Sequence, residues 1–210
     1  MDIKVLLQKI VSRPLWHAKF LNTLSYLENC GAKLIAGSQH PSMVPKEILK
    51  HAAEEFRHAY YLKAQLKKIE FYGRCLPTYQ RHELLGGHKA KHYLYRLNIE
   101  ISRFLKEKNI SETHLKEFGY LLVTYAIEKR AEQLYPLYQE VLQSMDSTVS
   151  VAGIIREELH HLAEISRELL ETSANIWKRD VCQIELAHFT LWQRQTMTEL
   201  AKTTYTKPHK

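Results

Sequence analysis

The chain has 210 residues, 45% of them hydrophobic, which suits one domain with a sizeable core. No apolar run approaches the ~20 residues that span a bilayer, and Met1-Asp2-Ile3-Lys4 lacks the pattern of a secretory signal, so a membrane span and a leader are not expected. The net charge of +7 is spread over Lys63, Lys67, Lys68, Arg74, Lys89, Lys91 and Arg103, which permits an acidic partner without forming a dense basic run. Cys30, Cys75 and Cys182 cannot all pair internally and form no C-x-x-C, so they read as reduced thiols in a cytoplasmic protein.

Apolar residues recur at helical spacing through most of the chain, strand-type alternation is nearly absent, and the expected class is all-α. The first helix is expected from about Pro14 to Gly37, broken by the tract Ser38 to Ser42. Pro45 suits the first turn of a second helix that runs to about Tyr72, ended by Gly73 and Pro77. A crossover follows, punctuated by Gly86-Gly87, with a third helix from about Lys89 to Lys106 closed by Asn109. Ser111 is a plausible N-cap for helix four, Glu112 to Gln143. Helix five covers Thr148 to Glu171, and a last helix covers Ile176 to Lys202. The organisation is a hairpin, a long crossover and a second hairpin in one domain, residues 1–210, with the bundle over about 14–172 and the C-terminal helix over about 176–202.

Four of these helices interrupt their apolar stripe with a glutamate. Glu55 sits between Ala52 and Ala59, Glu158 between Ile154 and Leu162, Glu28 between Leu24 and Ala32, and Glu128 between Tyr125 and Ala131. A buried carboxylate costs several kcal/mol unless its charge is compensated, and four together repel one another. No Arg or Lys lies on the stripes to pair with them, whereas two divalent cations would balance their charge. His58 follows Glu55 by three residues and His161 follows Glu158 by three, so each pair points the same way from its helix. Glu158 lies 103 residues after Glu55, and Glu128 lies 100 after Glu28, which marks a duplicated hairpin with Glu on one helix and Glu-x-x-His on the next. Glu28 and Glu55 are symmetric about the turn at Pro41 and Ser42, which puts them at one height.

Two further Glu-x-x-His pairs compete. Glu157 and His160 share a face with Glu164, Glu168 and Glu171, which reads as solvent-facing. Glu185 and His188 have no glutamate hairpin and read as packing. Around the site, Tyr125 is either a hydrogen-bond donor or relay to the ligands or an ordinary core tyrosine. Glu132 is either a spare ligand or a surface carboxylate. Arg57 and Glu54 are either contacts that hold the ligands or a solvated flank.

At these residues the sequence resembles the ferritin-like di-iron carboxylate superfamily, whose pattern is a Glu from each of two helices plus Glu-x-x-His from each of the other two. Glu54-Glu55-Phe56-Arg57-His58 looks especially like the equivalent segment of acyl-carrier-protein desaturases and related oxygenases. The resemblance implies a ferritin-like four-helix bundle with a helical crossover and an additional C-terminal helix. It makes Glu28 and Glu128 terminal ligands, Glu55 and Glu158 bridging carboxylates, and His58 and His161 nitrogen ligands. The implied cofactor is two metal ions, Fe/Fe first, with Mn/Fe or Mn/Mn as alternatives. The implied activity is dioxygen activation by an oxidase or oxygenase of an organic substrate, fed by an external electron donor. An acidic carrier protein or an RNA are the partner classes it suggests, and a homodimer is compatible with it. The alternatives are an iron-handling or peroxide-detoxifying protein and a non-catalytic bundle stabilised by metal. The missing C-x-x-C pairs count against a rubrerythrin-type peroxidase, and the basic chain counts against storage.

Overall fold

Helix formation begins before Pro14. Ile3, Leu6, Leu7 and Ile10 recur at helical spacing and Asp2 caps the turn by accepting from the Lys4 N–H at 2.8 Å, giving helix α1, Ile3–Val11, ahead of the first expected helix. The computed structural model describes residues 2–38, 42, 45–69 and 76–203. Among these there are eight α-helices and no strand, so the chain is all-α. None of the helices is long and apolar enough to cross a membrane.

Helix α2, Pro14–Ser38, and helix α3, Lys46–Gln65, lie along each other. The turn expected at Pro41 lies outside the described residues, as do Cys75 and the expected helix end at Tyr72 and Gly73. Helix α3 stops well short of that end: a single tight turn covers Leu66–Lys68 and Ile69 is extended. Lys63 Nζ donates to the carbonyl of Leu76 at 2.6 Å and to Asn22 Oδ1 at 2.5 Å, which ties residue 76 to α2 and α3.

The crossover is two helices rather than one: α4, Gly87–Lys91, and α5, Tyr93–Glu107, with the break at His92. Gly86 introduces them at φ +79°, and a Cβ there would stand 2.5 Å from Trp192 Cδ1, so both backbone and space require glycine. Asn109 ends the crossover in the left-handed region at φ 56°. Helix α6, Glu112–Ser144, runs along α7, Ala152–Leu170. The start of α7 lies beyond the expected Thr148 because Gln139 Oε1 takes the Val151 N–H at 2.7 Å and fixes the preceding segment as a turn. Helix α8, Lys178–Thr203, packs on α4, α5 and α6.

The apolar core falls into two main clusters. One holds Phe20, Leu24, Leu62, Tyr138, Leu142, Val151 and Ile154; the other holds Leu97, Leu105, Leu122, Ala126, Ile165 and Leu169. Along α6 and α7 the two are separated by the turns that carry Glu128, Glu158 and His161. A polar layer therefore sits between two greasy ones, where water is scarce and unpaired charge is costly.

Candidate metal centre

All six residues singled out from the sequence meet in this polar layer. Glu28, Glu55, His58 and Glu158 form one group whose ligand-capable atoms lie within 4.8 Å of one another. A second group of the same tightness holds His51, Glu55, Glu128 and His161. Glu55 belongs to both. Glu55, His58, Glu128, Glu158 and His161 are buried, and Glu28 is half-buried.

His51 is an addition that spacing alone could have flagged. It precedes Glu55 by four residues on α3, hence shares its face. Its Nε2 stands 3.2 Å from Glu128 Oε1 and 3.6 Å from Glu55 Oε1, and its ring centroid lies 4.2 Å from that of His161. The Glu-x-x-His pattern does not include it, and α7 has no counterpart, for the matching position is Ile154.

The two Glu-x-x-His imidazoles both point Nδ1 inward. His58 Nδ1 lies 2.9 Å from Glu158 Oε1 and 3.7 Å from Glu55 Oε1; His161 Nδ1 lies 3.3 Å from Glu55 Oε1 and 3.8 Å from Glu128 Oε1. Their outer nitrogens are held by carboxylates of the opposite hairpin. His58 Nε2 meets Glu157 Oε2 at 2.6 Å, and His161 Nε2 meets Glu54 Oε2 at 3.0 Å. An ionised carboxylate only accepts, so in each pair Nε2–H donates outward and Nδ1 faces the carboxylates of the centre. Arg57 in turn donates to Glu157. Glu157 therefore turns toward α3 rather than to solvent, a correction to its reading as part of a solvent face, while His160 stays exposed beside Glu164.

Two alternatives left open by the sequence fall on the side away from the site. Tyr125 is half-buried, lies under the Lys178 ammonium at 5.1 Å from its ring centroid, and does not touch the site. The tyrosine that does is Tyr135, whose hydroxyl donates to Glu28. Glu132 pairs with Lys129 and belongs to neither group of ligand-capable side chains. The Glu185/His188 pair also stays outside these groups, for Glu185 is taken by a bidentate contact from Arg130, at 2.6 Å to Oε2, and by Tyr93. That ion pair, with Glu185 buried and Arg130 half-buried, binds α5, α6 and α8 together.

The electrostatics describe a site short of positive charge. Burial first, then the neighbouring carboxylates, push Glu28, Glu128 and Glu158 well above the usual carboxylate range. Burial pushes Glu55 the same way, but contacts with His161 and His51 outweigh it and hold its carboxyl low. Burial opposes a proton on His58 and His161, yet the carboxylates around them raise both. Seven buried side-chain N or O atoms have no hydrogen-bond partner among the described residues, and five of them face this centre: Glu55 Oε1, His58 Nδ1, Glu128 Oε2, Glu158 Oε1 and His161 Nδ1. Orphaned acceptors normally cost about 1–3 kcal/mol each, so their convergence calls for a cation. Buried His and Glu clusters of this make-up could hold a metal ion.

No protein-family profile matches the chain, and no curated protein or solved structure matches it either.

Proposed function

We propose that the chain is a dinuclear metal protein of the ferritin-like type that uses dioxygen to oxidise an organic substrate, with electrons from an external donor. The observation that carries this reading is the set of five orphaned atoms converging on two overlapping groups that share Glu55. Four carboxylates match two divalent ions in charge. The set of four carboxylates and three imidazoles, without thiolate, suits iron or manganese better than zinc. The two hairpins, α2/α3 and α6/α7, joined by a long helical connection, fit the bundle topology in which such centres occur.

The residues divide the work. Glu55 would be shared, Glu28, His58 and Glu158 would hold one ion, and His51, Glu128 and His161 would hold the other. When bound, two such ions supply the electrons that reduce dioxygen. Glu54 and Glu157 fix which imidazole nitrogen faces inward and so raise the basicity of that nitrogen. Tyr135 restrains Glu28, the most exposed of the four carboxylates, by donating its hydroxyl hydrogen. The apolar clusters on either side keep bulk water from the centre.

The deciding experiment is metal analysis of protein purified from iron- and manganese-supplemented cells. About two ions per chain are expected, and none would sink the proposal. Anaerobic loading with ferrous iron followed by oxygen should give an optical change and oxygen uptake at that stoichiometry. Uptake that keeps pace with iron added far beyond it would favour iron handling instead.

A further inference from the structure

The crossover carries a second polar feature, on the outer face of α4 and α5. His88, His92, Arg96 and Glu100 follow one another at four-residue steps, and Tyr95, Ile99 and Arg103 do the same beside them. Two such i±4 rows form parallel ridges on a helical surface with a furrow between them. These seven residues line a groove of about 500 Å³. That lies within the ~300–1,000 Å³ usual for small-ligand sites.

The groove is positively charged and its cations are unspent. Neither Arg96 nor Arg103 has an ion pair or side-chain hydrogen bond among the described residues. Glu100 is the one carboxylate in the lining, and its Oε2 stands 3.1 Å from Nε2 of His188, a buried imidazole on α8. Desolvation and the charges of His92, Arg96, Arg81 and Lys89 pull His88 below its ordinary value, a sign of the local positive field.

The groove also offers flat surfaces. Tyr95 is 65% exposed, far more than an aromatic ring needs to be on a helix that packs against three others. The His88 and His92 rings stand edge-to-face at 4.4 Å. Guanidinium groups pair with phosphate oxygens in bidentate fashion, and an exposed tyrosine face stacks on a planar ring. Arg96 and Arg103 are seven residues apart, about 10 Å along the helix, a span their flexible side chains can close onto a short polyphosphate. The limited volume suits one ligand molecule rather than a duplex.

We propose that this groove binds a nucleotide-sized phosphate ester, with its phosphates on Arg96 and Arg103 and its planar ring on Tyr95. The site is independent of the metal centre. The Tyr26 hydroxyl on α2, which donates to the carbonyl of Lys91 at 2.8 Å, ties the start of the crossover to α2.

The test is calorimetric titration of the metal-free full chain with ADP, ATP, pyrophosphate and a short single-stranded RNA, each at low and moderate salt. Saturable binding of one ADP or ATP per chain is expected, weakening as salt rises. Arg96→Ala and Arg103→Ala should each weaken it about tenfold or more. Tyr95→Ala should weaken the nucleotides but not pyrophosphate. Arg96→Lys should restore part of the loss, and Lys46→Ala, at an exposed site on α3, should change nothing. Circular dichroism checks that each variant is folded. The proposal is overturned by absence of saturable nucleotide binding, by binding indifferent to Arg96 and Arg103, or by pyrophosphate binding as tightly as ADP. RNA binding much more tightly than either nucleotide would also overturn it, in favour of a nucleic-acid strand.

Discussion

The α2/α3 and α6/α7 hairpins carry the same ligand pattern at the same height and differ in what stands beside it. One turn before its Glu-x-x-His, α3 has His51, whereas α7 has Ile154, buried in an apolar cluster. Seven residues past its lone glutamate, α6 has Tyr135, whereas α2 has Ile35. Each addition serves the other hairpin: His51 reaches Glu128, and Tyr135 reaches Glu28. The duplication thus supplies a near-symmetric frame, and two single residues make its halves unequal. One group has two imidazoles and two carboxylates; the other has one imidazole and three carboxylates. On the proposed reading the two ions are bound with different affinity, and the harder, more anionic group suits the harder ion.

The largest expected effect comes from removing what the halves share. Glu55→Ala should reduce metal content from about two ions per chain to near none, read by elemental analysis; a variant that keeps both ions would undo the shared-ligand assignment. Next, His51→Ala should leave about one ion and His58→Ala should remove the other, so that the double variant holds almost none. If His51→Ala retains two ions at unchanged affinity, the inequality of the halves is wrong. Smaller changes are expected from Glu54→Gln and Glu157→Gln, each costing about 10–100-fold in affinity by chelator competition. Glu54→Gln should act on the ion beside His161, and Glu157→Gln on the ion beside His58.

A separate effect, on stability rather than metal content, concerns a contact that joins the hairpins away from the candidate centre. His17 on α2 meets the Tyr138 hydroxyl on α6 at 2.7 Å, and burial lowers His17 to about 4. Above the usual imidazole value of 6.5 it is neutral in both folded and unfolded chains. Below that, the unfolded chain takes up a proton that the folded chain refuses until about pH 4. Stability therefore falls with pH across this window, by up to about 3 kcal/mol. His17→Gln should remove that part of the slope, measured as the difference in urea midpoints between variant and parent, both metal-free, from pH 7 to pH 4.5. The raised glutamates have the opposite slope, but they are common to both proteins and cancel in the difference.

The sequence disclosed the parts of the site that repeat. Glutamates out of place on apolar stripes, and the same Glu-x-x-His at hairpin distance, led to Glu28, Glu55, His58, Glu128, Glu158 and His161, which the structure brings into one layer. What it hid were contacts made across hairpins. Glu157 lies off the core stripe, and its turn toward His58 depends on how α3 and α7 are packed, which periodicity within one helix does not specify. Tyr125 and Tyr135 are both aromatic neighbours of Glu128 on α6, and only the packing of α2 selects Tyr135. His51 and α1 are different, since both signals were present: His51 shares the face of Glu55, and Ile3, Leu6, Leu7 and Ile10 repeat at helical spacing. Helix α3 ends at Gln65, and Lys63 near its end is tied to the carbonyl of Leu76, a contact with no mark in the helical periodicity.

The crossed bracing of the histidines has a consequence for how the protein matures. His58 is aligned by Glu157 and His161 by Glu54, so neither half of the chain can orient its own imidazole. The arrangement works as a lock that needs two keys. A chain in which one half has collapsed wrongly offers no competent pocket, and on the proposed reading metal occupancy would certify that both halves have found each other.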